Sequence, residues 1–252
     1  MKLQKGVNNR LLIYFFFDID GVVDEYIVYM LQEMKKCLKD IVVVSNGKIS
    51  NEGKQKFGAF TDFIIERQNI GFDVGAYKEA LQTIGWEKLA VYDEVILMNY
   101  TIMGPVYPLQ DMFDTMDEKD VDFWGPTMSH QVDEDPWGTS PYGYLPDHIQ
   151  SHFIVVRRSM LFQKDFRTYW DEMPLIETYQ QSVGRHESYF TKYFADKGNK
   201  WEVYADSEEY RNMTTQPILM MATEMIAEKK CPFFKRRSFM HDYTIVLNES
   251  IG

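Results

Sequence analysis

The first hundred residues alternate unbroken apolar runs with stretches whose apolar residues recur every three or four positions. Leu11 to Phe17 is an apolar run closed by Asp18 and Asp20, the pattern of a strand buried on both faces. Val23 to Leu38 sets Ile27, Met30, Leu31 and Met34 on one helical face. Strand signals return at Ile41–Gly47, more weakly at Thr61–Gln68, and at Tyr92–Asn99, with a helix over 75–84 between the last two. Strands alternating with helices predict an α/β domain with a parallel sheet and right-handed crossovers. Ligands of such sheets sit beyond the carboxyl ends of the strands. The residues found there are Asp18 and Asp20, Ser45-Asn46-Gly47, Asn69-Ile70-Gly71 and Asn99-Tyr100-Thr101. Polar tips on one edge of a sheet predict a crevice.

The second half is less regular. Residues 121–147 carry most of the Pro, Gly and Trp, which suits an ordered loop beside a site. His148–Val156 reads as a strand, Met160–Met173 as a helix, His186–Gly198 as a helix and Trp201–Asp206 as a last strand. Tyr189, Phe190, Tyr193 and Phe194 recur at helical spacing and read as core. The segment Lys229–Phe239 is basic. No repeat or linker interrupts the chain, so residues 1–252 read as a single domain.

The net charge of −11 argues against a nucleic-acid partner, because phosphate neutralisation needs a basic face. Any bound anion must meet a local basic patch or backbone N–H groups. Cys37 and Cys231 are too far apart in sequence for a zinc motif and form no disulfide framework, which reads as a reducing, cytoplasmic setting. No apolar window is long enough to span a membrane. The run after the basic N-terminus is too short, and lacks the cleavage site, for a signal peptide. Asn99, Asn212 and Asn248 open Asn-x-Ser/Thr triplets, without meaning as glycan acceptors in that compartment.

Two motifs carry chemistry. Phe15-Phe16-Phe17-Asp18-Ile19-Asp20-Gly21 places Asp18 and Asp20 as a haloacid-dehalogenase-type phosphatase places its nucleophile and general acid around Mg²⁺. That reading lacks a later acidic motif at a strand end, since the acids of Tyr92-Asp93-Glu94 precede their strand. The other motif is Asn69-Ile70-Gly71-Phe72-Asp73-Val74-Gly75-Ala76-Tyr77. Its glycines let backbone approach a ligand, and the helix that follows offers N–H groups to an anion. The spacing resembles the donor loop of GT-A nucleotide-sugar glycosyltransferases.

Ordered blocks carry a wider resemblance: DIDGVVDEYIVYML, IVVVSNGKIS, NIGFDVGAYK, YDEVILMNYTIMGPVYPL, DVDFWGPT, HIQSHFIVVRRSML and CPFFKRRSF. Over essentially its whole length the sequence resembles the rhamnan synthesis protein F family of bacterial glycosyltransferases. The resemblance implies a GT-A-like three-layer sandwich with a mostly parallel central sheet. It further implies transfer of L-rhamnose from a nucleotide-activated donor, with dTDP-L-rhamnose the expected one, to cell-wall rhamnan, O-antigen or other surface polysaccharide. The acceptor would be lipid-linked, at the inner face of the plasma membrane, where the protein would be peripheral and could meet other polysaccharide-assembly enzymes. Family members are often longer, and often carry an Asp where this chain has Tyr100. That departure removes the obvious ligand for Mg²⁺ or Mn²⁺ and raises a second alternative, a glycan-binding relative without turnover.

Transfer with inversion needs one base and one leaving-group stabiliser. Glu187 is the expected base, with His186 in reserve. Asn69, Gly71 and Asp73 form the donor loop, Asn99 and Thr101 touch sugar or diphosphate, and Asp18 and Asn46 hold the nucleoside. Arg236 and Arg237 are expected at the diphosphate, because a planar guanidinium suits phosphate oxygens. Trp124, His148, Gln150 and Ser151 are expected on the acceptor side.

Overall fold

A computed structural model describes residues 2–6 and 8–239; Asn248 lies outside the described residues. The chain begins with β1 (Arg10–Phe16), α1 (Glu25–Lys35), β2 (Asp40–Asn46), α2 (Asn51–Gly58), β3 (Ile64–Arg67), α3 (Phe72–Ile84), α4 (Trp86–Leu89) and β4 (Glu94–Asn99), the order read from its pattern with the short helices α2 and α4 added. There follow β5 (Ile102–Met103), α5 (Leu109–Asp117), β6 (Phe123–Gly125), β7 (Met128–Ser129), β8 (His148–Ile149), β9 (Phe153–Arg157), α6 (Arg158–Leu161) and α7 (Lys164–Glu172). After α8 (Tyr179–Ser182) and α9 (Ser188–Asp196) come β10 (Trp201–Val203), α10 (Pro217–Met220), α11 (Ala222–Ala227) and β11 (Phe234–Lys235).

Seven strands make the central sheet in the order β10-β6-β9-β4-β1-β2-β3. Only β9 runs against the rest. Strand β1 shows why its apolar run is unbroken. Leu12, Tyr14 and Phe16 enter the core on one face, with α1 and α5, while Leu11, Ile13 and Phe15 enter the other, with α3, α7 and α9. Helices cover both faces, giving a three-layer α/β sandwich with the mostly parallel central sheet that the sequence implied.

Two further ribbons lie outside the sheet, β5 with β11 and β7 with β8, both antiparallel. The strand expected at 148–156 is therefore two, broken at Gln150–His152, with β8 in a ribbon and β9 in the sheet. The basic segment is not a solvated tail: Cys231 and Phe233 are buried and β11 closes the first ribbon. At the far end of the strands, Arg10 and Arg157 hold the buried Glu94 at 2.6 and 3.1 Å. Removing one member of such a buried charge set typically costs about 3–5 kcal/mol, which anchors the edge away from the crevice.

Candidate active site

A cavity of about 400 Å³ opens at the carboxyl ends of β1 and β4. A chain of polar contacts crosses it from one ribbon to the other. Lys235 Nζ lies 3.5 Å from Thr101 Oγ1, which donates to Asn99 Oδ1 at 2.6 Å. Asn99 Nδ2 donates to Asp73 Oδ2 at 3.0 Å. Ser151 Oγ stands within hydrogen-bond length of both Asp73 Oδ2 and Glu187 Oε2, and the Ser151 N–H donates to Glu187 Oε2 at 2.9 Å. His148 Nε2 is 3.8 Å from Glu187 Oε1. His148 Nδ1 donates to the Pro146 carbonyl at 2.7 Å, because a carbonyl can only accept, and this fixes the ring with Nε2 toward Glu187.

Each member is delivered by a local break in regular structure. Gly71, at φ 79°, caps α3 in the left-handed region, and Phe72 follows at φ 55°. This sharp entry sets Asp73 in the first turn, buried. The break between β8 and β9 turns Ser151 inward. Glu187 does not open a helix, contrary to the sequence reading. It closes a π-helical turn, Val183–Glu187, that joins α8 to α9, a distortion common where a helix must aim a functional side chain. Gly184 lets this turn pack on Thr139 and Ser140, because any Cβ there would run into both.

The carboxylates differ. Burial pushes Glu187 up, but His148, Lys235 and the Ser151 hydroxyl outweigh it and hold Glu187 well below the usual carboxylate range. Burial raises Asp73, and the neighbouring Glu187 adds to that, against the hydrogen bonds from Ser151 and Asn99. Burial lowers the Lys235 ammonium, partly offset by Glu187 and Asp73.

Of the expected residues, Asn69, Asp73, Asn99, Thr101, His148, Gln150, Ser151, Glu187 and Arg237 line the cavity. The others stand elsewhere. Trp124 is buried core, its Nε1 donating to Glu94 at 3.0 Å. His186 is buried against Tyr169, whose hydroxyl lies 2.7 Å from Nδ1, so it faces the aromatic core and not the cavity. Arg236 turns to Asp24, at 3.8 Å, and over the Tyr26 ring. Asn46 braces the donor loop from behind, donating to Asn69 Oδ1 and the Phe72 carbonyl and accepting from Arg67. Gly71 shapes the loop without lining the cavity. Asp18 accepts from the backbone N–H groups of Asp20 and Val22 and lies outside the cavity, so the phosphatase alternative has no nucleophile there.

Sequence reasoning missed Lys235, Ser129, His130, Trp137 and Tyr179 as lining residues. Lys235 belonged to the basic segment already noted, but only its pairing through β11 reveals its direction. As for a metal, Asp73 and Glu187 are the carboxylates among the lining residues, and both are already engaged. The Tyr100 ring packs on Phe15 and Phe16. Among the described residues no group of three or more His, Cys, Asp or Glu could hold a metal ion.

Residues 41–251 match the rhamnan synthesis protein F family. The chain belongs to that family. A curated relative, the uncharacterized protein y4gN of Sinorhizobium fredii, is 22% identical over 192 residues, covering 76% of this chain and 47% of its own length. The chain thus spans about half the length of that relative. Among solved structures, the fold is loosely similar to the mannosyltransferase Ktr4p of S. cerevisiae in complex with GDP, at 12% identity and TM-score 0.42, covering 75% of this chain and 67% of that one. It is also loosely similar to GalNAc-T7 with UDP, GalNAc and Mn²⁺, at 10% identity and TM-score 0.48, covering 77% and 41%. Among the described residues, no helix is long and apolar enough to cross a membrane.

Proposed function

We propose that this member of the rhamnan synthesis protein F family is an inverting glycosyltransferase. It transfers L-rhamnose from dTDP-L-rhamnose to a growing, lipid-linked surface polysaccharide at the cytoplasmic face of the membrane. The observation that supports this reading most is Glu187, ionised and fixed by Ser151 and His148, in one cavity with Lys235 and Arg237. Glu187 Oε1 takes the proton of the acceptor hydroxyl as its oxygen attacks the anomeric carbon. The bond from that carbon to the diphosphate breaks, and the leaving oxygens meet Lys235 and Arg237. Preorganised positive charges are an effective way to stabilise such a leaving group. Asn69 and Asp73 border the donor and Asn99 and Thr101 its sugar-phosphate linkage, while Asn46 and Gly71 shape the loop.

The test is thermal denaturation with dTDP-L-rhamnose, UDP-glucose and GDP-mannose, each with Mg²⁺, Mn²⁺ or EDTA, followed by dTDP release with acceptor present. A shift confined to dTDP-L-rhamnose and persisting in EDTA is expected. Stabilisation without consumption of the donor would favour the glycan-binding relative, and indifference to every sugar nucleotide would sink the assignment.

A further inference from the structure

The loop between β3 and α3 is a partition between two cavities. Asn69, Phe72 and Asp73 line the active-site cavity, while Ile70, Gly71 and Val74 line a second one, of about 300 Å³, behind it. Arg67 closes β3 and lines the rear cavity, with its side chain only 13% exposed. Its guanidinium is spread over acceptors from three different elements. Nη1 donates to the Ile70 carbonyl at 2.8 Å and to Asn46 Oδ1, and Nε donates to Glu79 Oε2 on α3 at 2.6 Å. Asn46 in turn donates to Asn69 Oδ1 at 3.3 Å and to the Phe72 carbonyl at 3.0 Å. One planar cation thus ties Asn69, Ile70 and Phe72, directly or through Asn46. The loop needs that restraint. Gly71 and Phe72 both hold positive φ, a backbone region that phenylalanine keeps only where its surroundings impose it. Phe72 is also partly exposed, so burial alone does not impose it. Gly75 leaves room for the clamp: a Cβ there would stand 2.8 Å from the Ile70 oxygen and 3.3 Å from Arg67 Nη2.

We propose that Arg67 is a positioning residue, which holds the 69–73 loop in the conformation that presents Asn69 and Asp73 to the donor. It acts from the rear cavity, through the loop, and not by touching the donor. Lysine does not replace it, because a single ammonium cannot span acceptors that a planar fork reaches together. The effect on the donor rests on the transferase reading; the hold on the loop does not.

The test joins hydrogen exchange, dTDP calorimetry and chemical rescue on the full chain. In R67A the N–H groups of Ile70 and Gly75, bonded to the Gln68 and Gly71 carbonyls, are expected to exchange at least tenfold faster. Exchange in β1 and β4 should be unchanged, which shows that the variant folds. Binding of dTDP should weaken about tenfold or more, and the donor KM should rise by a larger factor than kcat falls. R67K should behave like R67A. Methylguanidinium, a small copy of the deleted group, should restore both loop exchange and dTDP affinity to R67A. It should do nothing for G75A, whose methyl displaces the Ile70 carbonyl while Arg67 is still present. Unchanged loop exchange in R67A would overturn the hold on the loop, and full function in R67K would overturn the bridging role. Faster exchange with wild-type dTDP affinity overturns the link from loop to donor. If the wild type binds no dTDP, the transferase reading and the donor role fall together, while exchange still decides the hold on the loop.

Discussion

Ser151 Oγ lies 2.9 Å from Asp73 Oδ2 and 2.8 Å from Glu187 Oε2, so one hydroxyl proton serves two carboxylates. Whichever it leaves is charged without that bond, and the backbone N–H of Ser151 biases the outcome by staying on Glu187. This couples the donor loop, through Asp73, to the base.

S151A is therefore expected to lower kcat by about 10–100-fold, the worth of one hydrogen bond to a charged group. The hydroxyl lowers both carboxylates, so its loss moves the acid limb of kcat/KM upward in pH. S151T should restore both. A pH profile of the three proteins checks this.

For E187Q the expected loss is about 10²–10⁴ in kcat, with dTDP affinity retained. In the wild type Glu187 sits well below the usual carboxylate range. It is already ionised at neutrality, and no acid limb from it should appear between about pH 5 and 8. Initial rates across that range decide the matter.

The cationic side separates neighbours in sequence. K235A and R237A should each weaken dTDP binding about tenfold or more, whereas R236A, whose side chain faces Asp24 and Tyr26, should leave it within about twofold. Calorimetry on the three variants measures this.

His186 is a stability residue in this structure. Burial lowers it from 6.5 to about 4, so between those values the unfolded chain takes a proton that the folded chain refuses. The stability tied to neutral His186 is thus present above about pH 6.5 and lost as pH falls through that window, by up to about 3 kcal/mol. H186F should show a flatter dependence of Tm on pH from 7 to 5 than the wild type.

A methyl group at Gly184 would collide with Thr139 and Ser140. G184A should cost about 1–3 kcal/mol and displace the turn that carries Glu187, lowering kcat as well as Tm. Thermal melts and initial rates test both halves.

The central strands were legible because β1, β2 and β4 are buried on both faces and so leave unbroken apolar runs. Five of the expected site residues, Asp73, Asn99, Thr101, Ser151 and Glu187, form one hydrogen-bonded chain. The misses share a cause. Direction and pairing are set by contacts remote in sequence, so nothing in Phe153–Arg157 tells that β9 runs antiparallel. Nor does Ser182–Ser188 announce a π turn. Trp124 and Trp137 are equally aromatic in sequence; the buried acceptor Glu94 draws one inward, and a carboxylate-held loop keeps the other outside. Arg236 and Arg237 diverge because adjacent residues of the turn after β11 face different ways.

Pairing of β11 with β5 joins residues 234–235 to 102–103, the longest reach in the site. Lys235 reaches Thr101 across 134 positions of sequence, so the cationic side of the cleft exists only where two remote segments of the chain have met, and any change that loosens the ribbon disarms the cleft without touching its carboxylates.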